Sequence, residues 1–171
     1  MKSVLIILIF FLGSISATGQ LKIKGETTSP RLKYAYDKLT QYILSTPLSN
    51  QTHDILLEVK PSGKKEGYRI LGDKYSTRIT GNDETGLLYG VLDYLEQIKQ
   101  LKKFPEAYTK EDAPEMVLRG SCIGVQKPYY LPGRNVYEYP YTPETFPWFY
   151  NKKLWIQVLD SMVNNRMNSL Y

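Results

Sequence analysis

The chain has 171 residues, of which 42% are hydrophobic and 23% are charged. This composition is ordinary for a globular protein, and the length is too short for a complete (β/α)8 barrel, which needs about 250 residues. A single Cys and a single His exclude a disulfide scaffold and any zinc site built from several such ligands. The net charge of +5 is scattered along the chain without a continuous basic stripe, so we expect no nucleic-acid partner.

The first residues have the pattern of an export signal. Lys2 is followed by an apolar run at 4–12 and then by small residues up to Gly19. The run is far shorter than the roughly 20 residues that span a bilayer. The sequence therefore predicts a signal peptide at 1–19 and a mature chain that is secreted or periplasmic, with no membrane span after cleavage.

The next part of the chain mixes helix and strand patterns. A short strand is predicted at 21–24, and a helix is predicted from Pro30, with Ser29 as its cap, to about Ser45. Alternating apolar residues predict three strands, at 54–60, 68–70 and 77–79. Because the connections between them are short, we expect antiparallel neighbours. His53, just before the first of the three, is predicted to be a turn residue.

The most regular helical pattern starts at Asp83 and Glu84, whose negative charges suit a helix N-terminus. Gly86 and Gly90 lie one turn apart in it. Since glycine weakens a helix, the pair predicts a close approach to the sheet. Residues 20–104 are therefore predicted to form a small α+β domain, an antiparallel sheet covered on one face by two helices.

Residues 105–115, with two prolines and mixed charges, are predicted to be a linker to a second unit at 116–171. The pattern of that unit predicts a strand, a long loop rich in Tyr and Pro, an amphipathic helix and the start of another strand. The lone Cys122, in the first of these strands, is predicted to be buried. Together these elements form a βαβ unit, and one such unit cannot cover both faces of its strands. We expect a truncated chain that ends inside a larger α/β domain; a complete protein of this length is the alternative.

Three segments resemble a known family. Residues 79–90, with the sequence ITGNDETGLLYG, resemble the last helix of the small N-terminal domain of family 20 β-N-acetylhexosaminidases, and family 67 α-glucuronidases carry a similar domain. Leu118-Arg119-Gly120 resembles the first barrel strand of the hexosaminidases, and 164–168 resembles the end of their first barrel helix. The chain departs from the family where Gly124 replaces an Asp and where Gln126 and Lys127 replace an Arg-His pair.

The resemblance implies a small α+β domain followed by the first βαβ of a truncated TIM barrel. It also implies an N-terminal fragment of a secreted, exo-acting glycoside hydrolase, either β-N-acetylhexosaminidase-like or α-glucuronidase-like, whose substrate is an oligo- or polysaccharide. A hexosaminidase-like enzyme would be retaining, with the acetamido group of the substrate as nucleophile and a Glu as general acid. These acids would lie beyond the chain, so we expect no catalytic residue within it, no cofactor and no metal, and an inactive fragment.

Three side chains are candidates for substrate binding. The resemblance implies that Arg119 points into the barrel mouth and holds sugar hydroxyls with its fork of donors; a structural ion pair is the alternative. Tyr130 and Trp148 belong to the predicted first βα loop, where aromatic rings can stack on sugar rings or pack the loop itself. Asp83 and Glu84 resemble the catalytic dipeptide of the hexosaminidases, but their place at a helix start predicts capping.

Two other functional classes stay open. One is a non-catalytic glycan-binding or scaffold protein of the same fold, and the other is an unrelated secreted adhesion domain. Acidic residues at the end of a fourth barrel strand would distinguish the enzyme from the binding protein.

Overall fold

A computed structural model describes residues 21–123, 142–144 and 147–171 of the chain. The predicted signal peptide, Tyr130 and most of the predicted aromatic loop lie outside these residues. The strands and α-helices are β1 Lys22–Gly25, α1 Pro30–Leu44, β2 Asp54–Val59, β3 Tyr68–Asp73, β4 Ser76–Gly81, α2 Glu84–Leu101, β5 Ala107–Asp112, β6 Gly120–Ser121, α3 Lys152–Asn164 and β7 Ser169–Leu170. Two 3-10 helices span Pro47–Asn50 and Pro147–Tyr150.

Five strands form one mixed sheet in the order β1-β2-β4-β3-β5. Strand β2 is parallel to both β1 and β4, whereas β3 is antiparallel to both β4 and β5. The sheet and its helices confirm an α+β domain. The expectation of a purely antiparallel sheet is wrong.

The antiparallel expectation fails because of the connection between β2 and β3. The tight turn between β3 and β4 does join antiparallel neighbours. Residues 60–67, however, pass over the end of β4, because Lys60 donates to the carbonyl of Gly81 while the carbonyl of Gly67 accepts from Asn82. Crossing one strand requires about 10 Å, twice the strand spacing, which this segment easily spans. A short connection therefore does not ensure adjacent strands.

The helices begin where the capping residues predict. Ser29 accepts a hydrogen bond from the N–H of Leu32, and Asp83 accepts one from the N–H of Gly86. Helix α2 packs on the central strands and α1 packs on α2. On the opposite face of the sheet, Arg69 and Arg78 are exposed, so the helices cover one face only. These contacts confirm the predicted helix starts and the predicted layer of helices.

The glycine pair of α2 marks the closest approach of helix and strands. A Cβ atom at Gly86 would collide with the carbonyl oxygen of Gly67. At Gly90 it would lie 2.8 Å from Cγ2 of Ile79 and 3.0 Å from Cδ2 of Tyr68. The predicted role of both glycines is confirmed, because any side chain would push α2 away from the sheet.

Strand β5 lies inside the segment predicted to be a linker. All six of its residues pair with β3, from Ala107 opposite Asp73 to Asp112 opposite Tyr68. The prediction missed this strand because residues 109–112 are all polar and show no alternation of apolar and polar residues, which is the usual sign of a strand. The sheet of the small domain thus extends to Asp112 and not to 104.

The buried hydrophobic residues of the described chain all lie between Leu32 and Phe104. By contrast, α3 has no fully buried residue, and its Ile156 and Leu159 are about half exposed. Strands β6 and β7 are parallel and flank α3 in sequence, so the predicted βαβ pattern is present. Cys122 is exposed, which corrects the expectation of a buried thiol. None of the helices in the described ranges is long and apolar enough to cross a membrane.

Candidate functional site

Arg119 lies immediately before β6, and its guanidinium points at the small domain. Its Nη2 donates to a carboxylate oxygen of Glu66 at 2.5 Å and to the hydroxyl of Tyr89 at 3.1 Å. Its Nε donates to the carbonyl of Arg166 at 2.7 Å, and Nη1 donates to the carbonyls of Met116 at 2.5 Å and Val117 at 3.5 Å. The five N–H donors of the guanidinium therefore all have protein acceptors.

The acceptor Glu66 is held in place by the start of α2. Glu66 has a positive φ of 59°, a left-handed conformation that non-glycine residues adopt at some cost. Its backbone N–H donates to the Asp83 carboxylate at 2.8 Å, while the other oxygen of Asp83 caps α2. The Glu66 and Arg119 side chains are 16% and 14% exposed, so this ion pair is mostly shielded from water. Asp83 thereby presents Glu66 to Arg119.

A second arginine, Arg166, connects the two units just before β7. Its Nη1 donates to the carboxylate of Asp112 and its Nη2 donates to the hydroxyl of Tyr68, both at 2.9 Å. The Asp93 carboxylate lies 3.7 Å from Nη2 of Arg166, and it accepts a hydrogen bond from the Tyr68 hydroxyl at 3.0 Å. Although burial alone would raise the pKa of Asp112, hydrogen bonds from Arg166 and from the N–H of Ala113 hold it below its usual range.

Aromatic side chains gather at the start of α3. Trp148 is 39% exposed and contacts the rings of Phe149 and Trp155, with centroids 6.0 and 6.1 Å apart. The indole N–H of Trp155 donates to the carbonyl of Phe149 at 2.7 Å, which fixes the ring next to Trp148. Tyr130, the other predicted aromatic candidate, lies outside the described residues.

Asp83, Glu84 and Asp160 have structural partners. Asp83 caps α2, and Glu84 accepts a hydrogen bond from the Ser29 hydroxyl at 2.8 Å, so the capping role predicted for this pair is confirmed. Asp160 on α3 accepts from Lys38 on α1 at 3.1 Å. Within the described ranges, no group of three or more His, Cys, Asp or Glu side chains could hold a metal ion.

The sequence patterns pointed to Arg119 but not to Arg166, Glu66 or the acids around Tyr68. Of the predicted candidates, Arg119 contacts Glu66 and Tyr89 of the small domain. Trp148 lies instead in the aromatic group at the start of α3. The substrate-binding roles of Arg119, Tyr130 and Trp148 stay predictions. For Arg119, the observed contacts favour the alternative of a structural ion pair. A signal for Arg166 was its place in the 164–168 segment, directly before a predicted strand.

No family model matches the sequence, and no curated protein matches it. Among solved structures, a GH138 enzyme that targets pectin rhamnogalacturonan II is 44% identical to the chain and covers 89% of it, with a TM-score of 0.75. The chain has a glycoside hydrolase-like fold. The predicted resemblance to glycoside hydrolases is therefore confirmed at the level of fold. The chain spans 18% of the length of that enzyme.

Two other glycoside hydrolases are more distant. A GH115 4-O-methyl-α-glucuronidase with specificity for decorated arabinogalactans is 12% identical over 89% of the chain and 24% of its own length, with a TM-score of 0.57. At that identity the similarity concerns the fold alone. A family 20 β-N-acetylglucosaminidase is 27% identical over 60% of the chain and 20% of its own length. Its TM-score of 0.43 is too low to establish a common fold.

Proposed function

We propose that this chain is the N-terminal part of an exo-acting glycoside hydrolase whose substrate is a pectic polysaccharide. The observation that carries the proposal is the 44% identity to the GH138 enzyme across 89% of the chain, which extends over both the small domain and the βαβ unit. An identity of this level over both units supports a common architecture for the larger protein. A non-catalytic glycan-binding protein of the same fold is the competing outcome.

In this proposal β6, α3 and β7 open a TIM barrel. The parallel pairing of β6 and β7 around α3 is the arrangement of a barrel repeat. Half-exposed Ile156 and Leu159 on α3 suit a helix that has further neighbours in a larger domain. In such barrels the substrate binds at the carboxyl ends of the strands, where the βα loops lie. Trp148 and Tyr130 belong to the connection that follows β6, so we propose them as sugar contacts.

The first experiment measures sugar release by the full-length protein that carries this chain. Rhamnogalacturonan II is the expected substrate, and glycans ending in N-acetylglucosamine or in glucuronic acid test the hexosaminidase-like and glucuronidase-like alternatives. Release of a terminal sugar from rhamnogalacturonan II supports the proposal. Binding to the polysaccharide without release would support the glycan-binding alternative, and neither binding nor release would refute both.

The second experiment assigns Trp148. Trp148→Ala in the full-length enzyme is expected to raise KM by about tenfold, because stacking an aromatic ring on a ligand contributes on the order of 1–1.5 kcal/mol. Tyr75→Ala is a matched control, since Tyr75 is an exposed aromatic residue in the turn between β3 and β4. Equal KM values for the two variants would exclude Trp148 from the substrate site.

The third experiment separates the two roles of Arg119. If Arg119 holds sugar hydroxyls, Arg119→Ala should cost about 2–4 kcal/mol in kcat/KM per folded molecule, and Arg119→Lys should not restore it. If Arg119 only joins the βαβ unit to the small domain, the Ala variant keeps the KM of the wild type, and its loss appears as a lower kcat and a lower unfolding temperature. The contacts with Glu66 and Tyr89 favour the second result.

We also propose that the protein is exported to the periplasm or the medium. The charged start, apolar run and small residues of 1–19 support this. N-terminal sequencing of the protein recovered from the exported fraction should begin after Ala17 or Gly19. An uncleaved protein that stays in the cytoplasm would overturn the proposal.

A further inference from the structure

Two arginines of the βαβ unit reach the small domain from one edge of a strand pair. Arg119 directly precedes β6, and Arg166 lies at the turn that leads into β7. Because the strands are parallel, their starting ends lie side by side. Arg119 and Arg166 thus approach the small domain together.

The small domain receives them on a surface that we call the acidic-aromatic surface. It combines three carboxylates with two tyrosine rings and consists of Glu66, Tyr68, Tyr89, Asp93 and Asp112. The Arg119 guanidinium carbon lies 5.8 Å from the centre of the Tyr89 ring, and that of Arg166 lies 5.4 Å from the Tyr68 ring. Each arginine therefore meets both a carboxylate and an aromatic ring, a combination that suits a delocalised cation.

The charges also define one orientation. The βαβ unit contributes the cations Arg119 and Arg166 at one end of the contact and the anion Asp160 of α3 at another. The small domain places carboxylates opposite the two arginines and Lys38 opposite Asp160. A rotated arrangement would bring like charges together, so the pattern favours the observed arrangement of the two units.

Strands β6 and β7 have only a short set of contacts of their own. The Asn168 side chain accepts from the N–H of Arg119 and donates to the carbonyl of Val117, and backbone hydrogen bonds join the two strands. Each is only two residues long, and an isolated two-stranded pair is at best marginally stable in water. Helix α3, which connects them, contributes no fully buried residue among those described. Contacts outside the strand pair are therefore needed to stabilise its register.

The two arginines add connections that link the strand pair to the small domain. The carbonyl of Arg119 accepts from the N–H of Asn168 at 2.7 Å and from that of Ser169 at 3.1 Å. In return, the Arg119 side chain donates to the carbonyl of Arg166 at 2.7 Å. Arg166 itself has a positive φ of 58°, so its side-chain contacts stabilise a turn with an unfavourable backbone conformation. Both strand starts are thereby attached to the acidic-aromatic surface.

We propose that docking of Arg119 and Arg166 on the acidic-aromatic surface sets the register of β6 and β7, and that Arg166 is a positioning residue for the substrate-facing end of β6. The first part stands on the contacts of this chain alone. The second part rests on the proposed glycoside hydrolase function. The small domain then acts as the support on which the first two strands of the larger domain align.

Hydrogen exchange on the 171-residue chain tests the first part. Arg166→Gln should raise the exchange rates of the Ile123, Ser169 and Tyr171 amides, which bridge the strand pair, by about tenfold or more. The amides of β3 and β4 should keep their protection and so show that the small domain stays folded. Asp112→Asn, on the other side of the contact, should have the same effect, and adding it to Arg166→Gln should change little further.

The matched control is Arg69→Gln. Arg69 pairs with Glu111 at 2.7 Å on the open face of the same sheet, where both side chains are exposed. This control should leave the three amides unchanged. Unchanged exchange in Arg166→Gln would overturn the proposal, as would an equal rise in the Arg69→Gln control or a rise that extends equally to β3 and β4.

Kinetics of the full-length protein test the second part. Arg166→Gln should lower kcat at least about fivefold relative to Arg69→Gln while the thermal unfolding of the small domain is unchanged, because a misaligned strand displaces groups that must be positioned closely. Equal kcat values for the two variants would refute the positioning role. A wild-type protein without hydrolase activity would refute the proposed function instead, and the exchange result for the docking surface would still stand.

Discussion

His53 is the single histidine of the chain, and the structure places it in the core and not in a turn. Its side chain is 1% exposed and stacks on Phe104, with ring centroids 4.1 Å apart. Its Nε2 lies 3.0 Å from the hydroxyl of Thr77, which lies 2.9 Å from the hydroxyl of Tyr94. Burial lowers the pKa of His53 from its ordinary value of 6.5, and burial also raises the pKa of Tyr94 to about 12.

The depressed pKa of His53 predicts a pH-dependent stability. The unfolded chain binds the imidazole proton more readily, so the stabilisation is complete above pH 6.5 and is lost as the pH falls from there through the folded-state pKa. Urea unfolding at about pH 5.5 and about pH 7.5 should show this loss in the wild type and a smaller one in His53→Gln. Identical pH dependence in the two proteins would contradict the prediction, since no other imidazole is present.

At the scale of single elements, the start of α2 organises more than its own helix. One oxygen of Asp83 caps α2 through the N–H of Gly86, and the other holds the N–H of Glu66. The helix start and the turn before β3 thus depend on one carboxylate. The same turn presents Glu66 to Arg119.

Asp83→Ala should destabilise the small domain by about 1 kcal/mol for the lost cap and by about 1 kcal/mol more for the lost bond to Glu66. Asp83→Ser retains a capping hydroxyl but cannot reach both N–H groups, so it should lose only about half as much. Chemical denaturation of the three proteins measures the difference. Equal losses for the Ala and Ser variants would show that the cap contributes nothing.

At the scale of the whole molecule, strand β5 determines where the small domain ends. It covers the edge of β3, and its Lys110 forms an ion pair with Asp93 at 2.8 Å. The fragment 21–113 should therefore fold alone, with a cooperative urea transition. The fragment 21–104 lacks β5 and should unfold at a clearly lower urea concentration, because β3 becomes an unpaired edge and Asp93 loses its ion pair with Lys110. Equal midpoints would restore the linker interpretation of 105–115.

Local patterns in the sequence were sufficient for both helices and the first four strands of the small domain and for the similarity to glycoside hydrolases. The capping residues Ser29 and Asp83 mark helix starts because a cap acts within one turn of the chain. The pair Gly86 and Gly90 indicates close packing because glycine in a helix otherwise only destabilises it. These signals are short-range, so they can be read from neighbouring residues.

The tertiary structure alone decided the strand order, the place of β5 and the partners of the arginines. The order β2-β4-β3 depends on which strand 60–67 crosses. The mostly polar segment 107–112 becomes a strand because it pairs with the free edge of β3. The partners of Arg119 include Glu66, and those of Arg166 include Asp112, residues 53 and 54 positions away. Such contacts arise when separate elements pack together, and no local spacing encodes which carboxylate a given guanidinium will meet.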